Sequence, residues 1–117
     1  MKAVVTNLDH TKNKIIVDGT ITLAGSYATN GDTLDLSGLG VPSNSLPLSV
    51  SAWSTVSQGS GALKDAYTFV PGTKQNNGLL QIVVNNAEMA AGTYAGTTPT
   101  NATGYVLHFQ AEFPAFV

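Results

Sequence analysis

Residues 14–27 read KIIVDGTITLAGSY, and from Ile15 to Tyr27 every second position is apolar or glycine. The positions between them are mostly polar, with Ile16 and Ala24 as the exceptions. Because successive side chains of a β-strand point to opposite faces, this period of two predicts a strand with one buried face and one solvated face.

This strand has to bend if it is to stay on one small core. At ~3.3 Å per residue, a straight strand from Ile15 to Tyr27 would be about 43 Å long, which exceeds the width of a domain of this size. We expect bends or bulges at Gly19 and Gly25, since glycine tolerates irregular backbone. The stretch therefore predicts an antiparallel sandwich or barrel in which one long strand turns a corner and contributes to both sheets.

Two other regions carry the same alternation. Residues 105–113 repeat it towards the C-terminal end, and residues 46–52 place Leu46, Leu48, Val50 and Ala52 on one face. Pro47 has no N–H to donate to a neighbouring strand, which predicts that this second strand lies at a sheet edge.

Turn residues predict two hairpins. Residues 4–8 can pair with the long strand through a turn at residues 10–13. Residues 67–69 can pair with residues 79–84, which follow Asn77-Gly78, a pair that supports positive φ in tight turns.

The remaining segments are predicted to be loops, including residues 31–45, apart from one helix candidate. Residues 87–91 are the candidate, a single helical turn between Asn86 as N-cap and Gly92 as C-cap. The chain as a whole is predicted to be all-β, a single domain over residues 1–117. We expect an antiparallel β-sandwich or jelly-roll-like barrel with one long bent strand and at most one short helical turn.

Composition excludes several classes of function. Charged residues make up only 10 % of the chain, against roughly 25 % in an average soluble domain, which favours a protein packed into an assembly. With 5 lysines, no arginine and a net charge of −2, the chain lacks what phosphate recognition requires, and we expect no nucleic-acid partner. There is no cysteine for a disulfide or a zinc site. The first apolar run ends at Asn7, too early for a signal peptide, and no segment is suited to span a membrane.

No residue pattern predicts catalysis, a cofactor or a metal site. A serine hydrolase needs a histidine beside its nucleophile, but the chain has only His10 and His108 and no Gly-x-Ser-x-Gly motif. Asp32 and Asp35 could bind calcium, although their spacing is not that of a calcium loop. The simpler interpretation is that Asn30-Gly31 forms a turn and Asp35 makes a local side-chain-to-backbone hydrogen bond.

Trp53, Tyr67 and Tyr94 allow two interpretations. They could form an aromatic platform on which sugars stack. Alternatively they are core residues, and this is favoured because Trp53 adjoins an alternating strand and Tyr67 shares a face with Phe69.

Three stretches resemble a known family. They are GTITLAGSYATNGDTLDLSGLGV (residues 19–41), AEMAAGTYAG (residues 87–96) and YVLHFQAEFPAFV (residues 105–117). They look like small virion proteins of tailed bacteriophages that are encoded near the major capsid protein and are similar to head decoration, or cement, proteins. The most specific part is the Gly-Thr-Ile-Thr strand followed by Ser-Tyr-x-Thr-x-Gly and a leucine-rich loop.

The resemblance implies a β-rich, non-enzymatic protein on the outer capsid surface of the virion, made in the host bacterial cytoplasm. Its partners would be the major capsid protein and further copies of itself, with a homotrimer favoured, and no cofactor is implied. Such a protein clamps neighbouring capsomers. The alternative is a carbohydrate- or receptor-binding β-sandwich module of a phage tail or baseplate.

We predict the contact surfaces at the two ends of the chain, with residues 31–45 as a third candidate. The C-terminal tail either folds back on its own sandwich or docks on a neighbouring subunit, because exposed apolar clusters mark interfaces. The interface residues predicted in the N-terminal arm and in the tail are Met1, Val4, Val5, Phe113, Phe116 and Val117.

Overall fold

The computed structural model describes residues 1–23, 25–54, 66–84, 87–93 and 106–115, and these residues form strands, turns and bends without a helix. One sheet has four strands, in the order β1 (Ala3–His10), β2 (Lys14–Thr22), β10 (Val106–Pro114) and β5 (Ser49–Ser54).

A second sheet has β4 (Asp32–Leu34), β7 (Gly78–Val84) and β6 (Ala66–Val70) in that order, and β8 (Ala87–Glu88) also pairs with β7. A separate two-stranded sheet joins β3 (Ser26–Tyr27) to β9 (Gly92–Thr93). All of these strand pairs are antiparallel, and the predicted all-β antiparallel sandwich is confirmed.

The core lies between the two large sheets. The central strands β2 and β10 pair along their whole length, with Gly19 opposite Phe109 and Ile15 opposite Phe113. Their alternation is the predicted one, since the inward side chains are almost fully buried while Thr22 and His108 are exposed. The inward residues of the two strands are Ile15, Val17, Ile21, Leu107, Phe109, Ala111 and Phe113.

The stretch from Lys14 to Tyr27 is divided into two strands, β2 and β3. Its alternation persists, with Leu23 and Tyr27 both buried, but the strand ends at Thr22 and resumes at β3. Gly25 lies between the two pieces with φ at +82°, which confirms the bend expected there. The prediction that this strand joins both large sheets is wrong, because β3 pairs with β9 instead.

Gly19 marks the other expected irregularity. It pairs with Val5, and the register of β1 against β2 shifts between Val5 and Asn7. The bulge therefore lies opposite Gly19, on β1. A Cβ at Gly19 would stand only 2.0 Å from the backbone oxygen of Val4, so glycine allows β1 to lie close to β2 at the bulge.

The first residues connect the two sheets at one side of the sandwich. Lys2 forms a parallel bridge with Asp35, just after β4. Two backbone hydrogen bonds accompany it, from Ala3 N to Asp35 O at 3.0 Å and from Asp35 N to Met1 O at 2.8 Å. The Met1 ammonium donates to Thr33 O at 2.7 Å. The N-terminal arm is therefore part of the sheet structure.

The prediction that residues 31–45 form a loop is wrong in part. They include β4, and Leu34, Leu36 and Leu39 are among the most buried side chains of the core. The end of the segment is held by the buried Gln75, whose Nε2 donates to Pro42 O at 2.8 Å and to Ser45 O at 2.7 Å. This segment is packed into the fold along most of its length.

Both predicted hairpins are present, as β1–β2 and β6–β7. However, neither Asn77 nor Gly78 has the positive φ that was expected of a tight turn. Gly78 is a buried strand residue opposite Leu34, and a Cβ there would lie 2.6 Å from the ring of Phe69. Glycine is required at this position because the ring of Phe69 leaves no room for a Cβ, and not because of turn geometry.

The helical turn predicted at residues 87–91 is also wrong. Glu88 pairs with Val83, and Met89 N donates to Ile82 O at 2.8 Å, so tertiary pairing with β7 prevails over a weak helix signal. The proposed N-cap, Asn86, lies outside the described residues. Within the described ranges, no helix is long and apolar enough to cross a membrane.

Candidate binding surfaces

The predicted interface residues occupy very different environments. Val4 is 56 % exposed, whereas Phe113 is fully buried in the core of its own chain. Met1 and Val5 are partly buried and pack against that core. Phe113 therefore offers no surface to a neighbouring subunit, and the tail folds back on its own sandwich at this position. Phe116 and Val117 lie outside the described residues.

Four large apolar side chains, here called the apolar set, are exposed on the N-terminal strand and on the segment before β5. Val4 and Leu8 belong to β1 and are 56 % and 38 % exposed. Leu46 and Leu48 are 41 % and 60 % exposed, which overturns the prediction that they share a buried face with Val50. Leu48 N donates to Glu112 O at 2.6 Å, so a backbone contact fixes its position beside β10.

The solvent-facing side of the first sheet, here called the outer face, carries the exposed tryptophan. Trp53 pairs with His108, His108 with Thr20, and Thr20 with Val4, so these four side chains form one row across the sheet. The rings of Trp53 and His108 are stacked, with centroids 6.0 Å apart and an interplanar angle of 13°.

Trp53 is 46 % exposed, and the prediction that it belongs to the core is wrong. The inward positions of β5 are Val50 and Ala52, which pack against the core, so Trp53 necessarily points outward. Tyr67 does pack against the core, as predicted. Tyr94, the third member of the proposed platform, lies outside the described residues.

The next row of the outer face is polar. Ser51 pairs with Gln110, and Gln110 with Asp18. Gln110 Nε2 donates to Asp18 Oδ1 at 3.0 Å. This hydrogen bond holds an amide and a carboxylate side by side on the surface, beside a serine hydroxyl.

In the third row of the outer face, a glutamate forms an ion pair with a lysine. Glu112 pairs with Ser49 and Ile16, accepts a hydrogen bond from Ser49 Oγ at 3.3 Å, and forms an ion pair with Lys14 at 3.4 Å. Among the described residues, the outer face thus carries no free cluster of cations that would attract phosphate groups.

The two histidines lie on exposed surfaces of the first sheet, and His108 faces outward as predicted. His108 stacks on Trp53, and His10 pairs with Ile15 at the end of β1. Among the described residues, no group of three or more His, Asp or Glu side chains is arranged to hold a metal ion.

Asp35 makes the local hydrogen bonds that the sequence predicted. Its Oδ1 accepts from Ser37 N at 2.9 Å and from Ser37 Oγ at 2.6 Å, and its Oδ2 lies 3.4 Å from Lys2 Nζ. Asn30 and Gly31, with φ of 76° and 126°, form the predicted turn. The Ser37 hydroxyl, followed by the Ser37 N–H and Lys2, lowers the pKa of Asp35 below its ordinary value of 3.8.

This lowered pKa predicts a pH dependence of stability. The ionised form of Asp35 is favoured in the folded state, so its contribution is present above pH 3.8 and is lost as the pH falls through the folded pKa. We expect Asp35→Asn to lower Tm at neutral pH by a few degrees at most, because the group is near the surface. The difference from wild type should shrink in acid. Thermal melts from neutral pH to acid would measure it, and a constant difference would contradict the assignment.

A second polar link joins β3 to the second sheet. Tyr27 is buried, and its hydroxyl donates to Glu88 Oε2 at 2.9 Å and accepts from Ile82 N at 3.2 Å. The same Glu88 oxygen accepts from Asn30 N at 2.7 Å. Burial is the main cause that raises the pKa of Tyr27. The periodicity of the sequence predicts that Tyr27 is buried but does not indicate these partners.

Comparison with protein-family models, with curated proteins and with solved structures found no match to this chain. The apolar set and the outer face are the two candidate binding surfaces of the described residues.

Proposed function

We propose that the chain is a structural protein of a tailed-phage virion, specifically a capsid decoration protein that binds the assembled head and stabilises contacts between capsomers. Its partner is the major capsid protein, and its place is the outer capsid surface. The resemblance of residues 19–41, 87–96 and 105–117 suggests this role. The structural observation that carries the proposal is the apolar set, which exposes large aliphatic side chains at both edges of the first sheet, on β1 and on the segment before β5.

A low charge content supports the same role. Only 10 % of the residues are charged, so little desolvation of ions opposes close packing against a capsid surface. An interface of ~800 Å² per partner suffices for a specific contact. A homotrimer would engage several capsomers at once, and multivalency would then raise the overall affinity.

The proposal is tested by binding of the purified protein to empty phage heads. Val4→Asp and Leu48→Asp each place a carboxylate in the apolar set, and we expect each to weaken attachment by about tenfold or more, since an unpaired charge is costly to bury. Both sites are exposed, so Tm should change little. Co-sedimentation with heads would give the affinity, and thermal resistance of the decorated heads would report capsid stabilisation.

Val70→Asp is the matched control, because Val70 is also exposed, at 36 %, but lies on the edge strand β6 of the second sheet. It should leave attachment unchanged. Deletion of Phe116 and Val117 separately tests the predicted role of the tail, and sedimentation velocity tests the trimer. Attachment that survives both aspartate variants would refute a contact through the apolar set, and wild-type protein that never binds heads would refute the function.

The exposure of Trp53 favours a second candidate. A carbohydrate- or receptor-binding β-sandwich module of a phage tail or baseplate would be expected to present an aromatic ring on a rigid, polar surface. The outer face has that composition, with a half-exposed indole beside serine, glutamine and aspartate side chains.

A further inference from the structure

We infer that the outer face is a binding site for a neutral oligosaccharide, with Trp53 as the stacking platform and the row Ser51, Gln110 and Asp18 as the hydroxyl-binding row. This inference rests on the second candidate function, to which it adds a site and a ligand class.

The indole of Trp53 is held in a fixed position. Trp53 lies on β5 directly opposite His108 of β10, and the two rings are stacked at 6.0 Å. His108 therefore restrains the indole while 46 % of the residue stays exposed. A ring already held in place loses little conformational entropy when a ligand stacks on it.

The two neighbouring rows of the outer face suit two different features of a sugar chain. The face of an aromatic ring is negative, and it attracts the slightly positive C–H groups that one face of a pyranose presents. Successive rows on one face of a strand are about 7 Å apart, or two residues at ~3.4 Å. That spacing is comparable to one sugar unit, so a sugar stacked on Trp53 places its neighbour over Ser51 and Gln110.

The polar row offers both hydrogen-bond donors and acceptors. Gln110 uses Nε2 to donate to Asp18 Oδ1, which holds the exposed amide beside the carboxylate, and a primary amide has a second N–H donor and an acceptor oxygen to offer a ligand. Sugar hydroxyls both donate and accept, so an amide, a carboxylate and a serine hydroxyl in one row suit them. A few convergent polar groups beside an aromatic surface are typical of a ligand site.

The charges of the outer face favour neutral ligands. The described cation of the outer face, Lys14, is already paired with Glu112, and Asp18 and Asp9 add negative charge to the same surface. An anionic glycan or a nucleic acid would be repelled by these carboxylates. A neutral saccharide is not repelled by these carboxylates.

Isothermal titration calorimetry with three neutral trisaccharides, of glucose, mannose and N-acetylglucosamine, tests the site, with a sulfated galactose trisaccharide as the charged probe. We expect wild-type protein to bind at least one neutral probe with a Kd of about 1 mM or below, and to bind the sulfated probe more weakly. Because Trp53 is the single tryptophan of the chain, its fluorescence should change on binding and locate the sugar directly.

Variants then separate stacking from hydrogen bonding. Trp53→Ala should weaken binding by about tenfold or more, Trp53→Phe by less, and Gln110→Ala by a few-fold. Val70→Ala removes an exposed apolar side chain from the other sheet and should leave Kd unchanged. Each of these side chains is surface-accessible, and a thermal melt of each variant verifies that it is folded.

Three results would overturn the inference. Neutral sugar binding that persists in Trp53→Ala would show that the chain binds carbohydrate elsewhere, which refutes the site but not the second candidate function. Failure of wild-type protein to bind any neutral probe would refute both. Self-association of wild type that disappears in Trp53→Ala would assign the indole to a contact between copies of the chain.

Discussion

Phe109→Ala is expected to lower the free energy of unfolding by about 3–5 kcal/mol, as is usual when a buried phenylalanine is truncated in a core that cannot collapse around the cavity. Phe109 is only 1 % exposed. It lies on β10 between Gly19 of β2 and Ala52 of β5, two small residues that leave the space its ring fills. A cavity at this position would weaken the contact between the central strands and the second sheet.

Urea denaturation followed by circular dichroism would measure this loss, with the m-value showing whether the denatured state has changed. Gln110→Ala is the matched control on the same strand, because Gln110 faces solvent. It should stay within about 0.5 kcal/mol of wild type. A loss below about 1 kcal/mol for Phe109→Ala would contradict the packing of the two sheets around β10.

Gly19→Ala is expected to destabilise the fold by about 3 kcal/mol or more, at or above the usual range for overpacking. The added Cβ would lie 2.0 Å from the oxygen of Val4 and 2.7 Å from Cε1 of Phe109. A side-chain ring can move aside, but Val4 O belongs to the backbone of β1. Relief of the clash therefore requires that β1 shift away from β2.

A double variant distinguishes these two contacts. Phe109→Leu combined with Gly19→Ala should recover little stability, since the closest contact is with the backbone oxygen of Val4. Thr20→Ala, at the next position and on the opposite face, is the control and should have a small effect. Full rescue by Phe109→Leu would show that the aromatic ring, and not β1, sets the requirement for glycine.

The parts of the fold that the sequence predicts best are those whose pattern extends over many residues. In β2 and β10, apolar or glycine residues recur at every second position, and the buried faces were assigned correctly from Ile15 to Leu23 and from Leu107 to Phe113. Gly25, predicted on the same buried face, is exposed. Burial of one face leaves little freedom in such a strand, because a slip of one residue would expose every apolar side chain.

The predictions failed where the alternating pattern was short, or where neighbouring residues were given more weight than the pattern itself. Residues 33–36 alternate as well, but turn residues around them led us to expect a loop, although Leu34 and Leu36 are fully buried. Trp53 has the opposite parity to Val50 and Ala52, so alternation alone would have placed it on the surface. Two residues such as Ala87–Glu88 carry no usable period, and only their pairing with β7 decides their conformation.

The candidate sugar site could not have been predicted from the sequence. Its rows depend on which strands become neighbours, and Trp53 meets His108 only because β5 pairs with β10 across a long separation in the chain. The same holds for Asp18 and Gln110, which belong to β2 and β10. Local patterns predict the face of each residue but not its partner on the next strand.

The irregular register of β1 has a consequence for the behaviour of the protein at high concentration. β1 is an edge strand, and an edge with regularly spaced amide and carbonyl groups invites a strand from another molecule, which is how fibrils begin. The shift between Val5 and Asn7 breaks that spacing, and Asp9 adds a charge further along the strand. The bulge would therefore discourage uncontrolled polymerisation through the β1 edge at high protein concentration, while the surfaces proposed for binding stay accessible.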